Sequence, residues 1–330
     1  MLITKGSIRK SLPTAQQVHV DAALTNISVA FMQAPSQFVY DKVFPIVPVQ
    51  KQSDRYFIFD RADTYRDSAT VRAPATSAPR IGYRLSTDAY FCDEYALAQE
   101  IPDQVRSNAD ASVDLERAST ITLTQSMMIG AEQNWVNSFF KTGVWGTDVV
   151  GGTNFSYWDD YTTSDPLEDV TEAREKIKQT TGYDANRIVM GYKVYQRLKL
   201  HPLILERTKY TSADSITLAV LARYFEVDQI HVAGAVKTTS AEGAATATFD
   251  FIAGDDVLVM YVPPAAGIMT PAAGYTFTWA GYTGLNNLGI AMRQFRVEDR
   301  KVDVMESSFC YDQKLVTSAF GYFLDNALSI

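Results

Sequence analysis

Residues 110–143 form the longest stretch of this chain with a helical spacing of apolar and polar positions. The stretch has no proline, and only Gly130 interrupts it before Gly143. Asp110 or Ser112 can cap its N-terminus, and Lys141 falls in its expected last turn. We therefore predict one helix across the stretch, much longer than the mean of ~11–12 residues. Such a helix is expected to act as a spine on which other elements are laid.

The apolar positions of this predicted spine helix form two offset faces. One face consists of Ile121, Met128, Trp135 and Phe139, and the other of Leu115, Ala118, Ile129, Val136 and Phe140. A helix that is apolar on two faces is expected to be covered on both sides. The run Ser-Thr-Ile-Thr-Leu-Thr at 119–124 is rich in β-branched residues, which favour strands. We predict a bend or break of the helix there.

Residues 1–50 show no regular period, so they are predicted to form an irregular arm. Pro45 and Pro48 favour an extended path through its second half. The arm is rich in apolar side chains but has no evident core of its own. We therefore expect it to lie against another subunit.

Residues 51–100 read as a long β-hairpin, with one strand over 53–61 and a return strand over 82–101. The intervening loop is polar and small, and it contains Pro74 and Pro79. A two-stranded hairpin is marginally stable alone, so it needs a neighbouring surface.

Aromatic residues and arginines are concentrated in the arm and the hairpin, as they are in protein interfaces. The alternative is that these side chains fold back on their own domain. The interface interpretation makes the following residues candidate inter-subunit contacts: Phe38, Tyr40, Phe44, Tyr56, Phe57, Arg72, Arg80 and Tyr83.

The rest of the chain alternates between helical and strand patterns without a regular βαβ repeat, which indicates an α+β fold. Predicted helices cover 166–180, 192–200, 203–210 and 216–226. Predicted strands cover 186–191, 227–237, 251–262 and 275–279, followed by one unusually long strand over 288–309. Within that last stretch basic and acidic residues alternate from Arg293 to Asp303, which favours cross-strand ion pairs.

Composition narrows the possible functions. The chain has 330 residues, 46% of them hydrophobic and 21% charged, which is typical of a folded protein of about two domains. A net charge of −8 argues against a generally basic surface for nucleic acid. The N-terminus lacks the apolar core of a signal peptide, and no run reaches membrane-spanning length. We expect a cytoplasmic protein whose Cys92 and Cys310 are buried free thiols.

No pattern of catalytic or ligand-binding residues stands out. The three histidines are too scattered for a zinc motif, and the phosphate-binding glycine motifs are missing. The pairs at 159–160 and 255–256 are aspartates in turn-like sequence, where local hydrogen bonding is their usual role. His201 precedes a proline at a helix end, so we expect it to cap. We predict no catalytic, cofactor-binding or metal-ligating residue.

The order of arm, hairpin, long helix, mixed α and β segment and returning strands resembles the major capsid proteins of tailed bacteriophages. The local resemblance is strongest in four segments, which read NRIVMGYKVYQRLKLHPLILERTKY (186–210), ITLAVLARYFEVDQIHVAGAV (216–236), FDFIAGDDVLVMYVPP followed by AGYTFTW (249–264 and 273–279), and VMESSFCYDQKLVTSAFGYFLDNAL (304–328). The resemblance covers nearly the whole chain. Its specificity comes from the ordered set of segments.

This resemblance implies five segments. They are an N-terminal arm (1–50), an extended hairpin called the E-loop (51–100), a peripheral or P domain with the spine helix (101–185), an axial or A domain (186–285), and returning P-domain strands with the C-terminus (286–330).

The resemblance also implies a function and partners. Pentamers and hexamers of the chain would close into an icosahedral virion shell around packaged double-stranded DNA, without sequence-specific DNA contacts. Some family members carry an N-terminal scaffolding segment that has no match here, which implies a separate scaffolding protein or assembly without one. A portal protein and a decoration protein are further expected partners, and assembly would take place in the cytoplasm of the bacterial host. The alternatives are the shell of an encapsulin-like compartment and an enzyme whose site is assembled in space.

Overall fold

The computed structural model describes residues 33–59, 61–78, 80–82, 84–108, 114–209, 216–265, 270–283 and 290–329. The helices in these ranges are α1 (Tyr40–Val43), α2 (Arg61–Thr64), α3 (Asp103–Asn108), α4 (Leu115–Phe139), α5 (Pro166–Thr181), α6 (Tyr192–Leu198), α7 (Pro202–Lys209), α8 (Leu218–Tyr224) and α9 (Ala280–Thr283). The strands are β1 (Ile46–Val49), β2 (Ser53–Phe59), β3 (Leu85–Phe91), β4 (Asp93–Pro102), β5 (Thr147–Val150), β6 (Arg187–Gly191), β7 (Gln229–Ala233), β8 (Val236–Thr238), β9 (Phe249–Phe251), β10 (Val257–Met260), β11 (Gly274–Trp279), β12 (Ile290–Val297), β13 (Val302–Leu315) and β14 (Gly321–Asp325).

The described residues group into two compact units. The smaller unit contains Glu94–Met128 and Ile290–Phe309, and the larger contains Gln33–Asp93, Ile129–Gly289 and Cys310–Ile330. The helix α4 and the strand β13 contribute residues to both units.

The smaller unit is built on a β-hairpin that the sequence predicted as one long strand. β12 pairs antiparallel with β13, from Ile290 opposite Phe309 to Val297 opposite Val302. The chain reverses over residues 298–301, where Lys301 has a φ of 52°. The single-strand prediction is wrong because a charged turn without glycine or asparagine carries little turn signal.

Ion pairs connect this hairpin to α3, as the alternating charges suggested. Arg296 lies opposite Asp303 in the register and approaches it to 3.2 Å. It also binds Asp103 of α3 at 2.7 Å, and Arg106 of α3 in turn pairs with Asp303 and, at 3.0 Å, with Glu116 of α4. The prediction of cross-strand ion pairs is confirmed.

The larger unit has a mixed five-stranded sheet at its centre, in the order β5-β14-β10-β6-β7. β14 is parallel to β5, β6 is parallel to β7, and β10 runs antiparallel to both β14 and β6. All four residues of β10 are buried, and α5 buries Val170, Ala173 and Ile177 in the same apolar core. The short helices α6 and α8 complete this core through Leu198 and Leu221.

A second pairing in the larger unit involves the predicted arm. β1 lies parallel to β11, from Ile46 opposite Thr276 to Val49 opposite Trp279, and β11 pairs antiparallel with β13. Pro48 is tolerated because β1 is at the edge of this sheet. The extended path predicted around Pro45 and Pro48 is confirmed, but this part of the arm belongs to its own subunit's sheet.

The predicted spine helix corresponds to α4, which is continuous from Leu115 to Phe139. The proposed caps Asp110 and Ser112 lie outside the described residues, and Asp114 accepts the backbone N–H of Arg117 at 3.0 Å. The expected break at 119–124 is wrong. The hydroxyls of Ser119, Thr120, Thr122 and Thr124 each donate to the carbonyl four residues back, at 2.7–2.9 Å, so the helix satisfies them internally.

The other predicted helices are largely confirmed, with shifts of a few residues at their ends. The predicted strand 227–237 is divided into β7 and β8, and the predicted strand 251–262 contains only the end of β9 and then β10, which belongs to a different sheet. Asp165 caps α5 by accepting the backbone N–H of Leu167 and Glu168, and Gly182 ends it in a left-handed conformation at φ 75°. The predicted return strand 82–101 is divided at Cys92 into β3 and β4. Cys92 and Cys310 are both buried free thiols, as expected, and burial raises the pKa of Cys92 to about 12. Among the described helices, none is both long and apolar enough to cross a membrane.

Candidate functional site

The β2–β3 hairpin belongs to the larger unit, and most of its described residues are exposed. Its strands pair antiparallel from Ser53 opposite Phe91 to Phe59 opposite Leu85. Because side chains alternate along a strand, Tyr56 and Tyr90 share one face, while Phe57 and Phe91 share the other. The two faces have very different surroundings.

The first face is anchored on the subunit's own sheet. The Tyr90 ring stacks on Phe277 of β11 with centroids 4.6 Å apart, and the Tyr56 ring lies 5.5 Å from the same side chain. The backbone N–H of Phe91 donates to Asp312 of β13 at 2.9 Å, and burial raises the pKa of this carboxyl. Aromatic stacking and this hydrogen bond hold the base of the hairpin in place.

The opposite face is open. Phe57 is 64% exposed and Phe91 is 52% exposed, and their strand neighbours Thr87 and Ala89 are exposed as well. Exposed aromatics on one face of a hairpin are typical of a contact face. The contact of Phe57 with a neighbouring subunit stays a prediction. The other candidate of this strand, Tyr56, lies half-buried on the anchored face.

The hairpin loop is held by a few polar contacts. Arg84 binds Asp63 through its side chain at 3.0 Å, and the Tyr65 hydroxyl donates to the Thr181 carbonyl at the end of α5 at 2.5 Å. The candidate contacts Arg72 and Arg80 are both exposed in this loop. Arg72 donates to the Thr76 carbonyl at 2.5 Å. The candidate Tyr83 lies outside the described residues.

The three candidates in the arm occupy the core of their own subunit. Phe38 and Tyr40 are 1% exposed and Phe44 is 0% exposed. The Phe44 ring lies 4.8 Å from Phe139 and 6.1 Å from Trp135 of α4, measured between centroids. These side chains have no surface left for another chain, so the expectation that they make inter-subunit contacts is wrong. The alternative interpretation, that they fold back on their own domain, holds for them.

A buried glutamate that the sequence analysis missed ties the arm to the spine helix. Glu132 of α4 is 0% exposed, and its Oε2 accepts the backbone N–H groups of Val39 and Tyr40 at 2.9 Å each. Those two groups stand at the start of α1, where no helical carbonyl can accept them. Burial raises the pKa of Glu132 to about 7, although the two hydrogen bonds act in the opposite direction. The sequence signal for this buried contact was a single acidic residue, Glu132, among apolar positions of the predicted helix.

The aspartates and the histidine that were considered as possible catalytic residues make structural contacts. Asp160 accepts the backbone N–H of Thr162, as expected for a turn aspartate, whereas Asp256 accepts that of Asn326, 70 residues away. His201 is buried, and its Nε2 lies 3.0 Å from the Ser164 hydroxyl. Because that hydroxyl donates to the Asp160 carbonyl, Nε2 of His201 acts as the donor to Ser164. Among the described residues, no group of three or more His, Cys, Asp or Glu could hold a metal ion.

Comparison with known proteins identifies relatives over nearly the whole chain, although no family model matches. The major capsid protein of Burkholderia phage BcepMu is 25% identical over 315 residues, covering 92% of this chain and 95% of the relative. A phage-related protein from Bordetella bronchiseptica RB50 has a similar structure, with a TM-score of 0.68, 24% identity, and coverage of 89% of this chain and 94% of that one.

Two other solved structures show how widely this fold occurs. The capsid protein of Cyanophage P-SCSP1u gives a TM-score of 0.61 at 12% identity, covering 94% of this chain and 93% of its own. An encapsulin from Synechococcus elongatus PCC 7942 gives a TM-score of 0.50 at 10% identity, with 93% and 95% covered. The predicted α+β fold of phage capsid proteins is confirmed, and so is the resemblance to major capsid proteins.

Two substitutions test the assignment of aromatic side chains to core and surface. We expect Phe44→Ala to lower the free energy of unfolding by about 3–5 kcal/mol, because it empties a fully buried site. Phe57→Ala, the matched control on the open hairpin face, is expected to change it by less than about 0.5 kcal/mol. Urea denaturation of the dispersed chain measures both. Equal losses would contradict the assignment.

The buried carboxyl of Glu132 predicts a pH dependence. Its folded pKa of about 7 lies above the ordinary value of 4.5, so the folded state binds the proton more tightly. The free energy of unfolding should therefore fall as the pH rises from about 4.5 to 7, by at most about 3 kcal/mol. In Glu132→Gln the part of this decrease that comes from Glu132 should be lost. Exposed Glu175→Gln serves as the control, and an unchanged pH profile in Glu132→Gln would argue against the assignment.

Proposed function

We propose that this chain is the shell subunit of a bacteriophage capsid, a structural and non-enzymatic role. The observation that carries the proposal is the likeness to a phage major capsid protein over 92% of the chain. The hairpin supports it, because it offers an exposed aromatic face while its other face is anchored on the subunit.

In this proposal the chain assembles with itself into pentamers and hexamers that close an icosahedral shell around double-stranded DNA. Each contact can be weak, because a shell repeats the same contact many times. The net charge of −8 favours confinement of DNA over adhesion to it. The five-segment division into arm, E-loop, P domain, A domain and returning strands is part of the proposal. A separate scaffolding protein, a portal protein and a decoration protein are the proposed partners, in a virion assembled in the host cytoplasm.

The second candidate is the shell of an encapsulin-like compartment, which the structural likeness to an encapsulin favours. A phage shell would carry DNA, and a compartment shell would carry an enzyme as cargo. Nuclease-treated particles from the native host distinguish the two, because only packaged DNA inside the shell would survive the treatment.

Electron microscopy of the expressed full chain, alone and with the companion phage proteins, tests the proposal directly. We expect uniform shells, or pentameric and hexameric rings, because the fold is that of shell-forming subunits. A monodisperse monomer under every condition would overturn it.

The open hairpin face can be tested separately from folding. The double variant Phe57→Ser with Phe91→Ser should melt like the wild type, since both side chains are more than half exposed, but it should lose most of its shells. Phe249→Ser is the matched control, an aromatic of 67% exposure outside the hairpin. Sedimentation and negative-stain microscopy measure the yield of shells. Wild-type yield in the double variant would mean that this face is not a contact surface.

A further inference from the structure

A small cavity of about 130 Å³ lies beside α5, β5 and β14 in the larger unit. Its polar lining comes from Asn154, Asp169, Glu172 and Tyr322, and Phe155 and Leu324 supply apolar wall. Asn154 and Glu172 are exposed, so the cavity opens to solvent. It has room for several water molecules or for one small organic group.

The Tyr322 hydroxyl is the first sign that this cavity takes a ligand. The Tyr322 side chain is only 4% exposed, yet its hydroxyl has no hydrogen-bond partner among the described residues. The hydroxyl therefore keeps its hydrogen-bonding capacity free for a molecule in the cavity. Burial, followed by the negative charges of Glu172 and Asp169, raises the pKa of Tyr322 to about 12. The phenol therefore stays neutral and can accept a hydrogen bond from a ligand.

The two carboxylates of the cavity differ in whether they have a hydrogen-bond partner. Asp169 accepts the indole N–H of Trp158 at 2.7 Å, and burial raises its pKa to about 6. Glu172 lies three residues further along α5, on the same helix face. In the described part of the chain it has neither a hydrogen bond nor an ion pair. The N-cap Asp165 and the first-turn acids Glu168 and Asp169 lie at the N-terminus of α5, where carboxylates are favoured, but Glu172 lies beyond that turn.

The oxygen atoms that line the cavity fit an organic cation better than a metal ion. Ca²⁺ takes 6–8 oxygen ligands and Mg²⁺ needs a near-octahedral shell, whereas this cavity offers two carboxylates and has apolar walls. A guanidinium group binds a carboxylate through two parallel N–H donors, and its flat faces stack on aromatic rings. Both oxygens of Glu172 are available for such a pair, and Phe155 provides a ring.

We propose that this cavity binds one guanidinium group, held by Glu172 and the Tyr322 hydroxyl. The N–H groups of the ligand donate to both Glu172 oxygens and to the phenol oxygen, and the ion pair relieves the repulsion between Glu172 and Asp169. The site is formed within a single chain, so it does not depend on the proposed function. Its ligand is either an arginine side chain of a second copy or a free guanidinium compound.

Titration of the dispersed full chain with propylguanidinium, followed by NMR at the Trp158 indole N–H, tests the proposal. We expect saturable binding that weakens about tenfold or more in Glu172→Gln and severalfold in Tyr322→Phe. Tyr322→Phe removes only the hydroxyl, so the fold should be retained. Glu175→Gln is the matched control, because it removes the same charge from an exposed position on the same helix.

Three results would overturn the site. They are a shift that does not saturate, unchanged affinity in both cavity variants, and binding of Ca²⁺ or propylammonium as tight as that of propylguanidinium. Assembled particles then identify the source of the group. Loss of probe binding on assembly indicates an arginine of a second copy, and binding retained in shells indicates a free compound.

Discussion

The buried carboxylate of Glu132 is the interaction on which the larger unit depends. It joins the middle of α4 to two backbone groups that lie 93 and 92 residues earlier in the chain. This contact places α1 against the spine helix and leads the chain directly into β1. β1 then pairs with β11, which carries Phe277, the side chain on which the hairpin is anchored. The hydrogen bonds of Glu132 are thus the first of several contacts, from α4 through α1, β1 and β11, that position the candidate contact surface.

In the proposed shell, the hairpin would serve folding and association at once. Its Tyr56 and Tyr90 face belongs to the core of its own subunit, so the hairpin is ordered before it meets a partner. Binding through Phe57 and Phe91, as proposed for the shell, would then avoid part of the entropy that a flexible segment loses. An anchored hairpin is therefore suited to contacts that are individually modest and many times repeated.

Much of the fold could be predicted from the sequence because its signals are local. The spacing of apolar residues predicts α4, and the order of acids and bases predicts α5. What could not be predicted depends on distant partners. Phe44 looked as if it lacked a core, because the rings that pack on it, Trp135 and Phe139, lie far along the chain on α4. The spacing of apolar residues shows which side of a helix or strand is buried. It does not show which other element covers that side.

The turn at Lys301 and the hydroxyls of α4 show that local sequence composition can also mislead. Lys301 adopts a left-handed conformation without the glycine that usually marks one. The Ser119–Thr124 run has strand-like composition, but its hydroxyls bind carbonyls of the helix itself. Of the candidate surface, the position of the hairpin and the exposed Phe57 were predicted from the sequence, but Phe91 was not. The anchor on Phe277 did not, since nothing local relates residue 90 to residue 277.

The burial of the two cysteines has a practical consequence for measuring motion and assembly. Thiol reagents attack the thiolate, and a thiol whose pKa is raised to about 12, such as Cys92, is scarcely ionised at neutral pH. Cys310 is 1% exposed and out of reach of bulky reagents. A cysteine introduced at the fully exposed Val71 would therefore react alone. The native chain accepts a single fluorophore or spin label at the tip of its hairpin without prior removal of its own cysteines.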